Sequence, residues 1–456
     1  RRPAPPLASD DRAFEAAIRG LGFALTAAQA RAVEAVRRDL ASDRPMRRLL
    51  QGDVGSGKTA VAVAAVAIAA CAGRQAAVLA PTEILADQHA ERLGRVLDAV
   101  GVRVERLSGG LRPRRRRDVV RSIAAGATRI VVGTHALLEE TVRFPDLALV
   151  AIDEQQRFGV HQRFIISRAK SMAAGTTPHL LVMTATPIPR TLAFALYGDL
   201  DVTVLDELPP GRRPPATEAF GPSARADAYE RLLRLVAAGE RAYVICPLVE
   251  PSDAMPLPAA TSVYGDLARR LPEGAAALLH GRLLPEEKIE AIARFRSGRA
   301  RVLVSTSVVE VGVDVPEASV VLVDGADRFG LSQLHQIRGR VGRDGRPSLC
   351  LLARSTDSET ARARTDLLAA THDGFKIAEA DLAMRGPGDI FGARQAGEAS
   401  FRFADPLADA DTIAEAVADA RRVVAGAVPM SAEETARLDG ALTRFERSWG
   451  RVYERD

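Results

Sequence analysis

Cysteine is scarce in this 456-residue chain. Its three cysteines, Cys71, Cys246 and Cys350, lie far apart with no CxxC pairing. That excludes a disulfide framework and a thiolate metal site, and leaves small buried hydrophobes in a reducing cytoplasm. A long hydrophobic run is missing too. The longest apolar segment, 60–72, is too short to span a bilayer and lacks the flanks of a signal peptide, so no membrane partner is expected. Nor is there a strong excess of one charge. A net charge of +4 and a pI of about 9.2 permit a polyanionic partner without demanding one. The chain opens on Arg1 and not on Met, as expected of a fragment or a trimmed chain. What is present is 47% hydrophobic residues at a mean hydropathy of −0.01, a globular composition. The length is too great for one ordinary core and suggests about three domains.

The organising stretch is 49–59, Leu-Leu-Gln-Gly-Asp-Val-Gly-Ser-Gly-Lys-Thr, of the form GxxxxGK[ST]. It lies between a short apolar run and an Ala/Val-rich segment that reads as a helix. In that setting Gly52, Asp53, Val54, Gly55, Ser56 and Gly57 let the backbone wrap a polyphosphate against a helix N-terminus. Lys58 then reaches the β/γ-phosphates, and the Thr59 hydroxyl can ligate Mg²⁺. Upstream, Thr26 is a good N-cap for an amphipathic helix running to about Leu40, and Gln29 in its first turn could read an adenine edge. The Pro-rich residues 1–10 are expected to be a linker or a frayed end.

Downstream, apolar runs at 76–80, 102–107, 130–132, 147–152 and 180–183 alternate with helical patterns, which predicts a parallel sheet of βα units. Functional polar residues should follow the strands' C-terminal ends. The ends are followed by Pro81-Thr82-Glu83, Gly133-Thr134-His135, Asp153-Glu154-Gln155-Gln156 and Thr184-Ala185-Thr186-Pro187. Asp153 is expected to hold Mg²⁺ and Glu154 to polarise the attacking water. The pattern breaks at 211–215, an interdomain linker. A second alternating series follows, at 242–246, 276–280, 302–305, 320–323 and 349–352, with no P-loop of its own. In it, Arg340 and Arg343 lie three apart, which suits arginine fingers for γ-phosphate charge; spaced arginines on a solvated surface are the commoner pattern. The run 112–117 could meet DNA, although a solvated helix start is the usual meaning of such a run. Past 355 the chain turns helical and polar, with a Gly/Pro-rich loop at 385–397 between amphipathic segments.

Taken in order, the glutamine motif, GDVGSGKT, APTEILADQH, VGTHALL, IDEQQ, MTATPIPRTL, TSVVEVGVDVP and QIRGRVGR resemble the motifs of superfamily 2 helicases. With RFGVHQR and DGFKIAEADLAMRGPGDIFGARQAGEASFRFADPL, the chain is similar to the RecG family of ATP-dependent DNA helicases. The resemblance implies an α/β fold of two tandem RecA-like parallel-sheet lobes, 1–210 and 211–356, and a helical-hairpin accessory domain, 357–456. It implies ATP and Mg²⁺ as cofactors. Gln29 would contact adenine, 52–59 the phosphates, and Gly312 and Asp314 would help close on the nucleotide. Arg340 and Arg343 would be the fingers, and Thr184 and Thr186 would couple hydrolysis to DNA movement. Pro81, Thr82, Gly133, Thr134, His280, Gly281 and Thr306 would face the DNA backbone, while Arg385 and Gln395 fall in the translocation motif. The implied activity is fork regression and Holliday-junction branch migration by a monomer on branched duplex DNA in the bacterial cytoplasm, at the nucleoid. Contact with a single-strand-binding protein is left open. A transcription-repair-coupling translocase and an ATP-binding scaffold with an impaired motor are the competing readings.

Two departures stand out. Nothing before Phe23 could supply the family's N-terminal wedge. The family's DEQH reads Asp-Glu-Gln-Gln here, with Gln156 in the fourth place. Glutamine keeps a donor and an acceptor but takes no positive charge. ATP binding is therefore expected to survive with altered coupling. A comparison of DNA-stimulated ATPase between this chain and Gln156→His should differ in the degree of stimulation; equal stimulation would sink the idea.

Overall fold

The computed structural model describes residues 3–8, 11–154, 176–184, 200–250, 258–306, 315–385, 409–424 and 426–453. Two parallel sheets organise the chain. The first contains β1 (Arg47–Gly52), β2 (Gln75–Leu79), β3 (Val104–Leu107), β4 (Ile130–Gly133), β5 (Leu147–Ile152), β6 (His179–Thr184) and β7 (Asp201–Leu205). Its spatial order is β3-β4-β2-β5-β6-β1-β7. The second contains β8 (Ala216–Phe220), β9 (Arg241–Ile245), β10 (Ala276–Leu279), β11 (Val302–Ser305), β12 (Ala318–Asp324) and β13 (Leu349–Ala353), in the order β10-β11-β9-β12-β13-β8. The apolar runs become strands because helices cover both faces, as the fully buried β2, β4 and β5 attest.

The helix Lys58–Cys71 lies in the middle of the first core, with nearly every residue from Ala60 to Ala70 buried. Its alanines let it pack closely beneath the sheet, between the helices Asp11–Arg19, Ala27–Leu40 and Glu83–Asp98. In the second lobe Tyr243 and Phe295 are both fully buried, with ring centroids 4.9 Å apart. That tilted contact ties β9 to the helix Pro285–Arg296. By contact density the chain divides into two units, Arg1–Pro187 with Asp201–Ile377, and Ile188–Leu200 with Ala378–Asp456. The second unit is helical where described. It contains Ala410–Val424, whose Arg421 donates to the Leu200 carbonyl, and Ala432–Tyr453, opened by a reciprocal Ser431–Glu434 cap. The expected hairpin's loop, 386–408, lies outside the described residues. No helix among the described residues is long and apolar enough to cross a membrane.

One expectation needs correction, and two strands went unexpected. The described part of the Pro-rich start, 3–8, is tied down. Ala4 and Leu7 are buried, and their amides donate to the Asp43 and Leu40 carbonyls. The strands β7 and β8 flank the expected linker but carry no apolar run, because each lies at a sheet edge and is only partly covered.

His179 completes this anchoring. It is fully buried; its Nδ1 accepts from the Met46 amide and its Nε2 donates to the Pro5 carbonyl, both at 3.0 Å. Burial pushes its pKa below the ordinary 6.5, against the Pro5 bond and the Asp39 charge. Below pH 6.5 the unfolded chain therefore takes up a proton that the folded chain refuses, and stability falls as pH drops. Urea midpoints are expected to decline between pH 7.5 and 5.5, and a His179→Asn variant, weaker overall, should decline less. An equal decline in both would remove His179 as the cause.

Candidate active site

β1 delivers the chain to Gly52, and the next turn leads into the helix Lys58–Cys71. Gly55 and Gly57 take φ of +80° and +85°, which only glycine adopts without strain. A Cβ on Gly57 would collide with the Gln29 amide. Gln29, 1% exposed, donates from Nε2 to the Ser56 carbonyl at 2.8 Å. Its Oε1 and backbone amide exchange hydrogen bonds with Thr26, so the cap of one helix is built into the wall of the loop. Lys58 is 8% exposed, and its Nζ donates to the Gly52 and Asp53 carbonyls at 2.7 and 2.9 Å. Burial lowers its pKa; the charges of Glu154, Asp153 and Asp53 oppose that shift, and Arg212 adds to it. Thr59 is the second residue of the helix and half-buried.

The acids come from β5, two places along the sheet from β1, with β6 between them. His89, on the helix Glu83–Asp98, donates to Asp153 Oδ2 at 2.8 Å. Burial works against the Asp153 charge, yet the His89 bond and charge, together with Lys58, hold its carboxyl below the usual range. Glu154 has φ of +52°, the one non-glycine residue with positive φ among those described. Such a conformation costs about 1–3 kcal/mol and concentrates at functional positions. Thr184 closes β6 directly beside Gln51 of β1.

The second lobe reaches this loop through the helix Leu331–Arg338 and the turn after it. A Cβ on Gly339 would collide with the Val54 side chain. His335 bonds through Nε2 to Asp53 Oδ1, and the other carboxylate oxygen accepts from the Gly374 amide at 3.3 Å. Burial of Asp53 is outweighed by His335 and the backbone amides of Val54 and Gly374, which keep it ionised. Arg338 bonds to His335 Nδ1 at 3.0 Å, to the Thr371 carbonyl at 2.9 Å and to the Leu368 carbonyl. Arg343 donates to the Gly339 carbonyl at 3.2 Å, and Arg340 is half-buried beside it.

Pro81 and Thr82 follow β2, and Gly133 and Thr134 follow or end the adjacent β4. Thr82 caps its helix through Leu85, and a Cβ on Gly133 would collide with the Leu107 carbonyl. His280 and Gly281 follow β10, and Thr306 follows its neighbour β11. These seven residues therefore stand at adjacent strand ends within each lobe. In the basic run, Arg115 pairs with Glu105 at 2.6 Å and Arg116 with Glu139, while Arg112, Arg114 and Arg117 are exposed. Gln156, Thr186, Gly312, Asp314 and Gln395 lie outside the described residues, as does the side chain of Arg385. Sequence reasoning passed over His89, His335 and Arg212. His89 closes the quoted APTEILADQH and could have been marked there; the other two carry no local signal.

Asp53 thus faces the start of the helix Gly374–Arg385 rather than standing free in the loop. Hydrogen bonds to charged acceptors contribute about 1.5–3 kcal/mol. Asp53→Ala is expected to speed amide exchange around Gly374 by about tenfold or more, read by hydrogen-exchange mass spectrometry. Unchanged exchange there would contradict the tie.

Residues 26–194 match the DEAD/DEAH box helicase model, 226–345 the helicase conserved C-terminal domain, and 371–445 the C-terminal part of domain 3 of the ATP-dependent DNA helicase RecG. The chain is 46% identical to the ATP-dependent DNA helicase RecG of Escherichia coli K12 over 422 residues, covering 92% of this chain and 61% of that one. Identity to the Acidithiobacillus ferridurans RecG is 47%, with the same coverage. This chain therefore spans about three fifths of the length of these curated relatives. Among solved structures, RecG bound to a three-way DNA junction aligns with a TM-score of 0.72 and 40% identity, over 90% of this chain and 53% of that one. The helicase MrfA bound to DNA and AMPPNP aligns at a TM-score of 0.61 and 21% identity, over 81% and 54%, a likeness of fold. Over the 92% of its length that these relatives match, the chain belongs to the RecG family of ATP-dependent DNA helicases.

Proposed function

We propose that this chain is the motor of an ATP-dependent double-stranded-DNA translocase that remodels branched DNA by fork regression and branch migration. The observation that carries the reading is the packing of Gly339 and His335, from the second lobe, onto Val54 and Asp53 of the P-loop. A nucleotide in that loop is then handled by two lobes at once, and hydrolysis can be tied to their relative motion. The RecG relative solved on a three-way junction supports branched DNA as the substrate. We divide the chain into lobes 1–210 and 211–356 and a translocation domain 357–456, and we place its action in the bacterial cytoplasm on nucleoid DNA, as a monomer.

Within the site, backbone amides of 52–59 cradle the phosphates and Lys58 turns from its two carbonyls to the β/γ-phosphates. Gln29, bonded to the loop at Ser56, stands for adenine recognition. Glu154 accepts a proton from the attacking water, and Arg340 and Arg343 meet the charge developing on the γ-phosphate. The oxygen donors Thr59 and Asp153, the latter held ionised, fit Mg²⁺, which prefers one or two carboxylates with phosphate oxygens. Mg²⁺ bound there would neutralise charge on the β- and γ-phosphate oxygens. Gly312 and Asp314 complete closure, and Gln156, Thr184, Thr186, Arg385 and Gln395 carry it to DNA. Pro81, Thr82, Gly133, Thr134, His280, Gly281 and Thr306 hold the DNA backbone.

ATPase rates on forked, linear duplex and single-stranded DNA test the reading, with forked DNA expected to stimulate most. Lys58→Ala should abolish turnover. Arg343→Ala should bind ATP normally and lose about three orders of magnitude in kcat, the usual contribution of an arginine finger. Normal hydrolysis by Arg343→Ala would end the two-lobe site.

A further inference from the structure

The segment between the two sheets crosses the P-loop instead of skirting it. Past β7, Glu207 accepts from the Ala28 amide, and Asp206 pairs with Arg31 at 3.1 Å. The Arg212 amide donates to the Pro209 carbonyl, closing a turn at the loop. A Cβ placed on Gly55 would land on the Arg212 guanidinium, so that group rests directly against the P-loop backbone. It also donates to the Gly339 carbonyl at 3.2 Å, the same oxygen that Arg343 uses. Beyond it the linker lies on the turn after the helix Leu331–Arg338. A Cβ on Gly342 would stand 2.8 Å from the Arg213 carbonyl, and one on Gly345 2.8 Å from that of Gly211. Both glycines have positive φ, so side chains are disfavoured there twice over.

We propose that Arg212, carried by the linker between the lobes, is a third arginine of the nucleotide site and contacts the phosphates of a nucleoside triphosphate held by 52–59. The proposal rests on the reading that this loop binds a triphosphate. Arg212 and Lys58 are two cations against one short loop, and each disfavours the other's charge. A polyphosphate between them turns that repulsion into two attractions. Guanidinium suits the place: it is always charged, and its planar fork matches phosphate oxygens. The Gly339 carbonyl that it meets is a neutral acceptor that a phosphate oxygen outcompetes. Arg340 and Arg343 travel with the second lobe, whereas Arg212 sits on the segment joined to both lobes. It therefore contacts phosphate before the lobes finish closing, and acts on binding more than on turnover.

Equilibrium binding of a fluorescent non-hydrolysable ATP analogue, and of the matching ADP, to the full chain without DNA tests this. Arg212→Ala is expected to weaken triphosphate binding by about tenfold or more, as for loss of a charge-assisted bond. Arg212→Lys should recover part of that loss, since it keeps the charge without the fork. Lys58→Ala serves as the control. Wild-type affinity in Lys58→Ala would defeat the underlying P-loop reading. Wild-type affinity in Arg212→Ala, alongside lost binding in Lys58→Ala, would defeat the Arg212 proposal alone. Tighter binding by Arg212→Ala would make the guanidinium a competitor for the phosphate position and also overturn it. Equal loss in the alanine and lysine variants would assign the effect to packing and not to charge, and would overturn it as well.

Discussion

An ammonium group almost withdrawn from water sets the terms for this site. Lys58 begins a helix that is apolar and buried from Ala60 to Ala70. Burying an isolated charge is costly enough that it must be paired or neutralised. The charges of three nearby carboxylates, Asp53, Asp153 and Glu154, oppose its neutralisation. Each of those acids has an anchor. His89 fixes Asp153, His335 and two amides fix Asp53, and Glu154 is held in a backbone conformation that a side chain resists.

The contact between the lobes at this loop depends on what is absent from glycine. Val54 projects to where Gly339 would carry its Cβ, and Arg212 lies where Gly55 would carry its own. Close backbone approach lets His335 reach Asp53 without stretching. It also allows one carbonyl, Gly339, to receive both Arg212 and Arg343. The reach then extends outward, since Arg338 links His335 to the end of the helix Glu359–Ala370 and Asp53 accepts from Gly374. The first residues matched to RecG domain 3 are therefore hydrogen-bonded to the P-loop and to the helix Leu331–Arg338.

Much of this was legible in the sequence, and the reason is physical. A phosphate cradle needs its glycines and lysine within eight residues, so 52–59 declares itself. Central parallel strands are buried on both faces and read as continuous apolar runs, which is why β2, β4, β5, β9, β11 and β12 were expected where they lie. The edge strands β7 and β8 hide because one side meets water. The Thr26 cap was readable because capping is local. His335 lies 282 residues from Asp53, and Arg212 sits in a stretch whose composition says only "linker". Such pairings are products of the tertiary fold and leave no spacing to read. The same holds for the N-terminal segment, which looked frayed until His179, itself held by the Met46 amide, supplied a donor for its Pro5 carbonyl.

Strand order explains how one event at the loop could reach the strand ends proposed to hold DNA. The Asp153 amide donates to the Leu79 carbonyl, Ala80 to Gly133, and Thr134 to Leu107. These bonds stitch the acid strand to the ends of β2 and β4, where Pro81, Thr82, Gly133 and Thr134 stand. A ladder so continuous, backed by a close-packed core, moves as one body rather than bending under a ligand. The ties between the sheets at the P-loop are of another kind: single side chains, Asp53 to His335 and Arg212 to Gly339, on polar groups that a triphosphate would compete for. Filling the loop therefore changes the bonds between the lobes more readily than those within them. Because each lobe carries, on a stiff sheet, its own set of strand ends proposed to hold DNA, a change in the angle between lobes becomes a change in the distance between the two sets. That conversion needs no flexible strand and no signal passed residue by residue through the core.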